Sequence, residues 1–254
     1  MATKAGAFDI VGDVGTQRIP GSTVYHPEDQ TYTITGGGAN TWGTVDEFHL
    51  AALRVRGDFI LTAEGSLVGK GVQAHRKWGL TIRERWEGSS LHADAAIHGD
   101  GLTSLQYRER QGAETLEVKA AMTHADVVQL ERSGQTITMR AAKQGEPLVE
   151  TGKVSMAFSD EAFVGIFICS HDISITEKAV IRNVRLDVAA GPGVDGDKVP
   201  SPSRLEVLDV ETGLRRVLYT SRAHFEAPNW SRDGTYLLYN QEGRIYRLPL
   251  DSRV

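Results

Sequence analysis

No stretch of this chain longer than about two turns places apolar residues at i, i+3, i+4 and i+7, the spacing an amphipathic helix needs. Short runs that alternate apolar and polar residues recur instead, about every ten residues, bounded by turn formers. Glycine, at 27 residues, sits mostly between those runs. One segment reads either way: in Glu47–Arg56, Phe48-His-Leu-Ala-Ala-Leu53 fits a short helix or a strand. The chain is predicted to be all-β.

The runs give the architecture. Leu80–Glu84 turns Leu80 and Ile82 inward, and Thr81, Arg83 and Arg85 outward. Leu91–Ile97 sets Leu91, Ala93, Ala95 and Ile97 against His92, Asp94, Ala96 and His98. Leu102–Arg108, Thr115–Ala121, Val127–Arg132 and Thr136–Ala141 follow. Phe163–Cys169 is apolar on both faces, which marks a central strand covered on both sides. Ala179–Val188 places Val180, Val184, Leu186 and Val188 on one face, with Arg182 interrupting it. Residues 8–30 carry turn formers and little periodicity. Strands of this kind over residues 1–190 predict a two-sheet antiparallel sandwich. Ala189–Ser203, with three prolines and three glycines, breaks the pattern, so 191–203 reads as a linker. Beyond it, 204–254 carries four compact runs, Leu205–Val210, Leu214–Tyr219, Tyr236–Tyr239 and Arg244–Leu250, with Asp233-Gly234 as a tight-turn signal.

Composition narrows the function. The formal charge is −5, with acids and bases interspersed and no basic stripe, so nucleic acid is not an expected partner. No apolar run approaches the roughly 18 residues that span a bilayer, so no membrane partner is expected. The start, Met1–Asp9, has no apolar core of a signal peptide. Localisation is therefore periplasmic or secreted if a signal was removed, and cytoplasmic otherwise. Cys169 is the only cysteine and lies in an apolar run, where a buried inert thiol is expected.

Two resemblances add to this reading. Pro228-Asn-Trp-Ser-Arg-Asp-Gly-Thr-Tyr-Leu-Leu-Tyr239, followed by Arg244-Ile-Tyr-Arg-Leu-Pro-Leu250, resembles a repeat of the TolB-type β-propeller. Propellers need about four or more blades, and residues 204–254 hold strands for one. The resemblance implies a chain cut from a longer propeller protein, a blade packed on the sandwich, or self-association through the unpaired blade. The first 190 residues are similar to the concanavalin A-like (laminin G-like) jelly roll that precedes such propellers in bacterial proteins labelled TolB-like or biopolymer-transporter-like. The carrying segments are Gly36-Gly-Gly38…Trp42…Asp46-Glu-Phe48, Gly57-Asp-Phe59, His75-Arg-Lys77…Leu80…Ile82-Arg83, His98–Arg108 and Cys169-Ser-His-Asp172 with Asn183-Val184. That resemblance implies fold more than activity, since the jelly roll serves lectins, glucanases and plain interaction modules alike.

The stretch His98-Gly-Asp-Gly-Leu-Thr-Ser-Leu-Gln-Tyr-Arg108 focuses the search for a site, because Ser104, Gln106 and Arg108 share one polar strand face. A concave jelly-roll sheet would gather His75, Arg76, Lys77 and Arg83 with His98, Asp100, Gln106 and Arg108, and with His171 and Asp172. Such a set offers planar hydrogen-bonding groups for a sugar, arginines for an anionic one, and Trp78, Trp86 or Tyr107 as an aromatic platform. The same residues would also make an ordinary solvated sheet face. The E-x-D-x-x-E strand of the fold's glucanases is absent, and Glu84, Glu87, Asp94 and Asp100 form no recognisable pair, which disfavours glycosidase chemistry. His98, Asp100 and His171 are the candidates for histidine-based acid–base work. No two of His75, His98 and His171 have close metal-ligand spacing, so no metal site and no cofactor are expected; structural Ca²⁺ is compatible with the fold class but not predicted. Three readings remain open: a glycan-binding module, a carbohydrate-active enzyme of lyase or keto-glycoside hydrolase type, and a non-catalytic protein-interaction module.

Overall fold

The computed structural model describes residues 4–188, 203–208, 215–221 and 224–250. The chain divides into two compact units, Met1–Ala189 and Ala190–Val254. The expected linker at 191–203 falls, up to residue 202, outside the described residues.

The first unit is an all-β jelly-roll sandwich of two seven-stranded antiparallel sheets. With strands numbered in chain order, the first sheet runs β1 (Ile10–Val14), β4 (Phe48–Arg56), β13 (Glu161–Cys169), β6 (Lys77–Arg83), β7 (His92–His98), β8 (Leu102–Arg108) and β9 (Leu116–Thr123). The second runs β12 (Val149–Ser155), β11 (Thr136–Ala142), β10 (Val127–Ser133), β5 (Phe59–Leu67), β14 (Glu177–Val188), β3 (Thr31–Gly36) and β2 (Ser22–His26). The ambiguous segment after Glu47 is strand β4, paired on both sides, by β1 and β13. Strands β1, β2 and β12 were not evident from periodicity. All three lie at sheet edges, where one face need not be apolar.

Between the sheets lies the main core, including Trp78, Leu80, Ile82, Ala93, Ala95, Leu105, Val164, Ile166, Leu61, Leu130, Met139 and Ile181. The strand alternation of β6 and β7 is as expected. Strand β14 differs from its reading: Ala179 and Ile181, rather than Val180, face the core. A register shift between Arg182 and Arg185, with Asn183 at φ 52°, then reverses the phase and delivers Val184 and Leu186 to the same core.

The first sheet is also covered on its outer face. Val14, Phe48, Leu50, Ala52, Ala96, Phe167 and Cys169 form a second buried cluster there, joined by Trp86 and Phe163. This explains why Phe163–Cys169 is apolar on both faces. The cover is partial, and its edge defines the site described below.

The second unit pairs β15 (Ser203–Leu208) with β16 (Arg215–Ser221), and β17 (Phe225–Trp230) with β18 (Tyr236–Gln241) and β19 (Arg244–Pro249). Leu205, Phe225, Leu237 and Tyr239 are its buried cluster. It has one more strand than expected. The Pro228 segment, outside the four expected runs, forms edge strand β17, where a residue without N–H is tolerated. A register shift between Glu226 and Asn229, with Ala227 at φ 54°, takes up the proline. The Asp233-Gly234 turn is as read: Asp233 Oδ1 accepts from Ser231 Oγ at 2.7 Å and from the Thr235 amide at 3.1 Å.

Candidate functional site

Strand register sets out the polar face of the first sheet in rows. Arg83 pairs with His92, and His92 with Arg108; Thr81 pairs with Asp94, and Asp94 with Gln106; Lys77 pairs with His98. Side chains on one face of paired strands lie side by side. The first row is therefore two cations flanking an imidazole, and it must find a counter-charge or stay in water.

It finds Asp46. The loop from Asn40 to Glu47 closes on itself through a Glu47 N–H to Asn40 carbonyl bond of 2.8 Å, and the Asp46 N–H donates to the Gly88 carbonyl at 2.9 Å. This lays the Asp46 carboxylate over the row. Arg108 grips both its oxygens, at 2.7 and 2.8 Å, and Arg83 Nη2 donates to Oδ2 at 2.9 Å. Arg108 also donates to the carbonyls of Gly43, Gly88, Ser90 and Ala113 and to Thr115 Oγ1, so all its N–H groups are used. The Arg83 guanidinium lies 4.9 Å from the centre of the Phe48 ring. Asp94 accepts from Thr81 Oγ1 at 2.5 Å and lies 3.1 Å from His92 Nδ1. Asp46, Arg83, His92, Asp94 and Arg108 have no solvent exposure beyond the rounding of zero.

Arg83 and Arg108, expected in a ligand groove, are instead buried beneath the Asp46 loop: every Arg108 nitrogen donates inside the protein, whereas Arg83 donates through Nη2 alone, to Asp46 and the Glu87 carbonyl, and its Nε and Nη1 find no hydrogen-bond partner. Arg76 is likewise withdrawn. It is buried, pairs with Glu177 at 2.6 Å, and holds the Val68 and Gly69 carbonyls. The expected aromatic platforms are also buried or engaged. Trp78 and Tyr107 pack in the main core, and Trp86 packs edge-on against Phe163 while donating to the Asp13 carbonyl.

Where the Asp46 cover stops, the same sheet face opens into a cleft. Asn40, Trp42, His75, Lys77, His98, Leu102, Gln106, Glu117, Lys119 and His171 line it. It gathers His75, Lys77, His98, Gln106 and His171 from the residues singled out in the sequence. The rings of His98 and His171 lie 5.7 and 5.6 Å from that of His75. Asp100 stands beside the cleft: its carboxylate caps the β7–β8 turn through the Leu102 N–H at 3.0 Å and lies 4.0 Å from His75 Nδ1. Asp172 faces away into its own turn, accepting from the Ser174 N–H at 2.8 Å. Asn40, Trp42, Glu117 and Lys119 were not anticipated. Asn40 and Trp42 reach the cleft only because the loop that carries Asp46 folds over the sheet.

The floor is a directed chain of hydrogen bonds. Lys77 Nζ donates to Asn40 Oδ1 at 2.8 Å and to Gln106 Oε1 at 3.3 Å, and Thr41 Oγ1 donates to the same Oε1. The Gln106 amide nitrogen then faces Glu117 Oε1 at 3.2 Å and His98 Nε2 at 3.4 Å. His98 Nδ1 lies 2.9 Å from the Leu102 carbonyl, which can only accept, so Nδ1 carries the proton and Nε2 accepts. Burial, reinforced by the Lys77 charge, holds His98 down to about 4. His171 is lowered by burial and then by Lys77. Lys77 itself is lowered by burial. His98 and His171 are thus held toward the neutral form beside the buried Lys77 side chain. No group of three or more His, Cys, Asp or Glu among the described residues is arranged to hold a metal ion.

No protein-family model matches the chain. An uncharacterised protein of Agrobacterium fabrum is 50% identical over 48 residues, a match spanning 19% of this chain and only 16% of that protein. Among solved structures, a protein of unknown function from Saccharomyces cerevisiae has the same fold, with a TM-score of 0.53, 10% identity, and 71% of this chain and 97% of that one covered. A Corynebacterium alginate lyase (TM-score 0.45, 9% identity, 70% of this chain and 92% of that one) is more distantly similar. So is lectin II from Ulex europaeus (TM-score 0.42, 7% identity, 71% and 98%).

Proposed function

We propose that the cleft on the first sheet binds a saccharide, and that the jelly roll is a glycan-binding module joined to a segment of TolB-type propeller. The observation that carries this reading is the pairing of a rim tryptophan with a fixed polar floor. Trp42 is 41% exposed at the cleft, while Asn40, Gln106 and His98 beneath it are locked in one hydrogen-bonding orientation. A sugar ring needs both: an apolar face to stack on, and planar donors and acceptors for its hydroxyls. The cleft holds about 230 Å³, below the roughly 300–1,000 Å³ of sites for drug-sized ligands, so it suits a single ring. The propeller reading of the second unit is supported by its two small antiparallel sheets closing on one buried aromatic cluster.

Calorimetric titration of the protein with a panel of mono- and oligosaccharides tests the binding reading. Saturable heat that Gln106→Leu removes is the expected result. Silence across the panel would leave the protein-interaction reading in its place.

A second reading rests on one specific feature. His98 presents an unprotonated Nε2 at the cleft and is held neutral, the state a general base needs. In that reading the domain is a carbohydrate-active enzyme of lyase or keto-glycoside hydrolase type. Incubation with the sugars that bind, followed by product chromatography, decides it: turnover abolished by His98→Asn supports the enzyme, and intact sugar after long incubation removes it.

A further inference from the structure

We propose that the saccharide carries an anionic group, a carboxylate or a sulfate ester, and that Lys77 receives it. The inference rests on the cleft being a saccharide site and names the class of sugar.

The other buried cations around this sheet each touch a carboxylate. Arg76 meets Glu177, and Arg83 and Arg108 meet Asp46. Lys77 is buried to the same degree, at 2% exposure. It meets only the neutral amide oxygens of Asn40 and Gln106, and no described carboxylate lies within 4.0 Å of its nitrogen. An ammonium removed from water costs several kcal/mol unless a counter-charge is near. Those arginines each touch a carboxylate; Lys77 feels Asp94, Glu117 and Asp46 only from beyond 4.0 Å, and its side chain lies against the cleft.

The surrounding groups agree. His75, His98 and His171 crowd the same space, and burial keeps His98 and His171 from competing as cations. The cleft holds one acid, Glu117, whose charge is taken up by Lys119 at 3.5 Å and by the Gln106 amide. Among the lining residues two lysines stand against one glutamate, an excess of one positive charge on those side chains. A neutral sugar would bury that charge further without offsetting it, whereas a sugar acid would neutralise it. His171 Nδ1, buried with no hydrogen-bond partner, adds a polar atom on the same wall. A lysine is a point charge without the planar fork of arginine, so Lys77 accepts either anion.

Matched oligosaccharides test this: oligouronates, sulfated oligosaccharides and their uncharged counterparts, titrated calorimetrically at low and high salt. Acidic sugars should bind at least about tenfold tighter, a difference of about 1.4 kcal/mol. Lys77→Gln should abolish that preference, and Lys119→Gln should leave it. Whether the uronate or the sulfate series carries the preference identifies the anion. Equal or better binding of uncharged sugars overturns the inference while leaving the saccharide site standing; no binding of any sugar overturns both. Loss of the preference in Lys119→Gln alone also overturns it. Should Lys77→Gln fail to fold, Lys77→Met, which removes the charge and keeps an apolar stem, takes its place, and an acidic-sugar preference that survives it refutes the assignment.

Discussion

Arg108 and Asp46 face each other fork to fork, 2.7 and 2.8 Å apart across two parallel hydrogen bonds, with neither side chain reaching solvent. Breaking such a pair from one side strands a buried charge, which costs about 3–5 kcal/mol. Asp46→Ala strands two, on Arg83 and Arg108. It should lower unfolding stability by at least that range, read from urea midpoints. A variant as stable as the parent would mean that the pair does not hold the loop down.

Trp42 gives the opposite case. Its side chain stands at the rim, and exposed substitutions usually change stability by no more than about 0.5 kcal/mol. Trp42→Ala should therefore melt with the parent yet bind the proposed saccharide about tenfold more weakly, the loss expected when an aromatic stacking surface is removed. Undiminished affinity in the calorimeter would show that the ring is not a platform.

His98 makes stability depend on pH. The folded protein holds the ring at about 4 against an ordinary 6.5, chiefly through burial and then through Lys77. On acidification the unfolded chain therefore takes up the proton first. The stabilisation is complete above about 6.5, falls as pH drops from there to about 4, and amounts to about 3 kcal/mol across that window. Below it both states are protonated and this group adds no further loss. His98→Gln should flatten the slope in that interval, as urea midpoints collected across it will show; an unchanged slope would assign the acid sensitivity elsewhere.

Gly38 sits at φ 110°, and a Cβ there would come within 1.9 Å of the Glu47 carbonyl oxygen. Backbone cannot yield as a side-chain tip can. Gly38→Ala should push the 40–47 loop off the sheet, lowering saccharide affinity and melting temperature together. A melting temperature and affinity like the parent's would show that the loop tolerates the shift.

The sandwich was legible because alternation is a local property: Leu80 and Ile82, or Ala93 and Ala95, declare their face within a few residues. His75, Lys77, His98, Gln106 and His171 could be grouped from the sequence, and line one cleft, because they sit on or beside strands whose phase was readable. The fate of the arginines was not. Whether Arg83 and Arg108 meet solvent depends on Asp46, 37 and 62 positions away in sequence. No pattern within a strand records that a loop will cover it. Trp42 escaped for the same reason, since its position depends on the closure of Asn40 onto Glu47. Pro228 shows the converse: a residue that interrupts most strands is accommodated in β17 because that strand lies at a sheet edge.

The 40–47 loop carries its anchor and its tool at opposite ends. Asp46 fastens it to the arginine row, while Asn40 and Trp42, a few residues earlier, meet whatever enters the cleft. Because Glu47 bonds back to Asn40, the segment is a closed cassette. Residues at its cleft end can change without disturbing a single strand pairing, so relatives that share this anchor are free to diverge in what they recognise while keeping the same scaffold beneath.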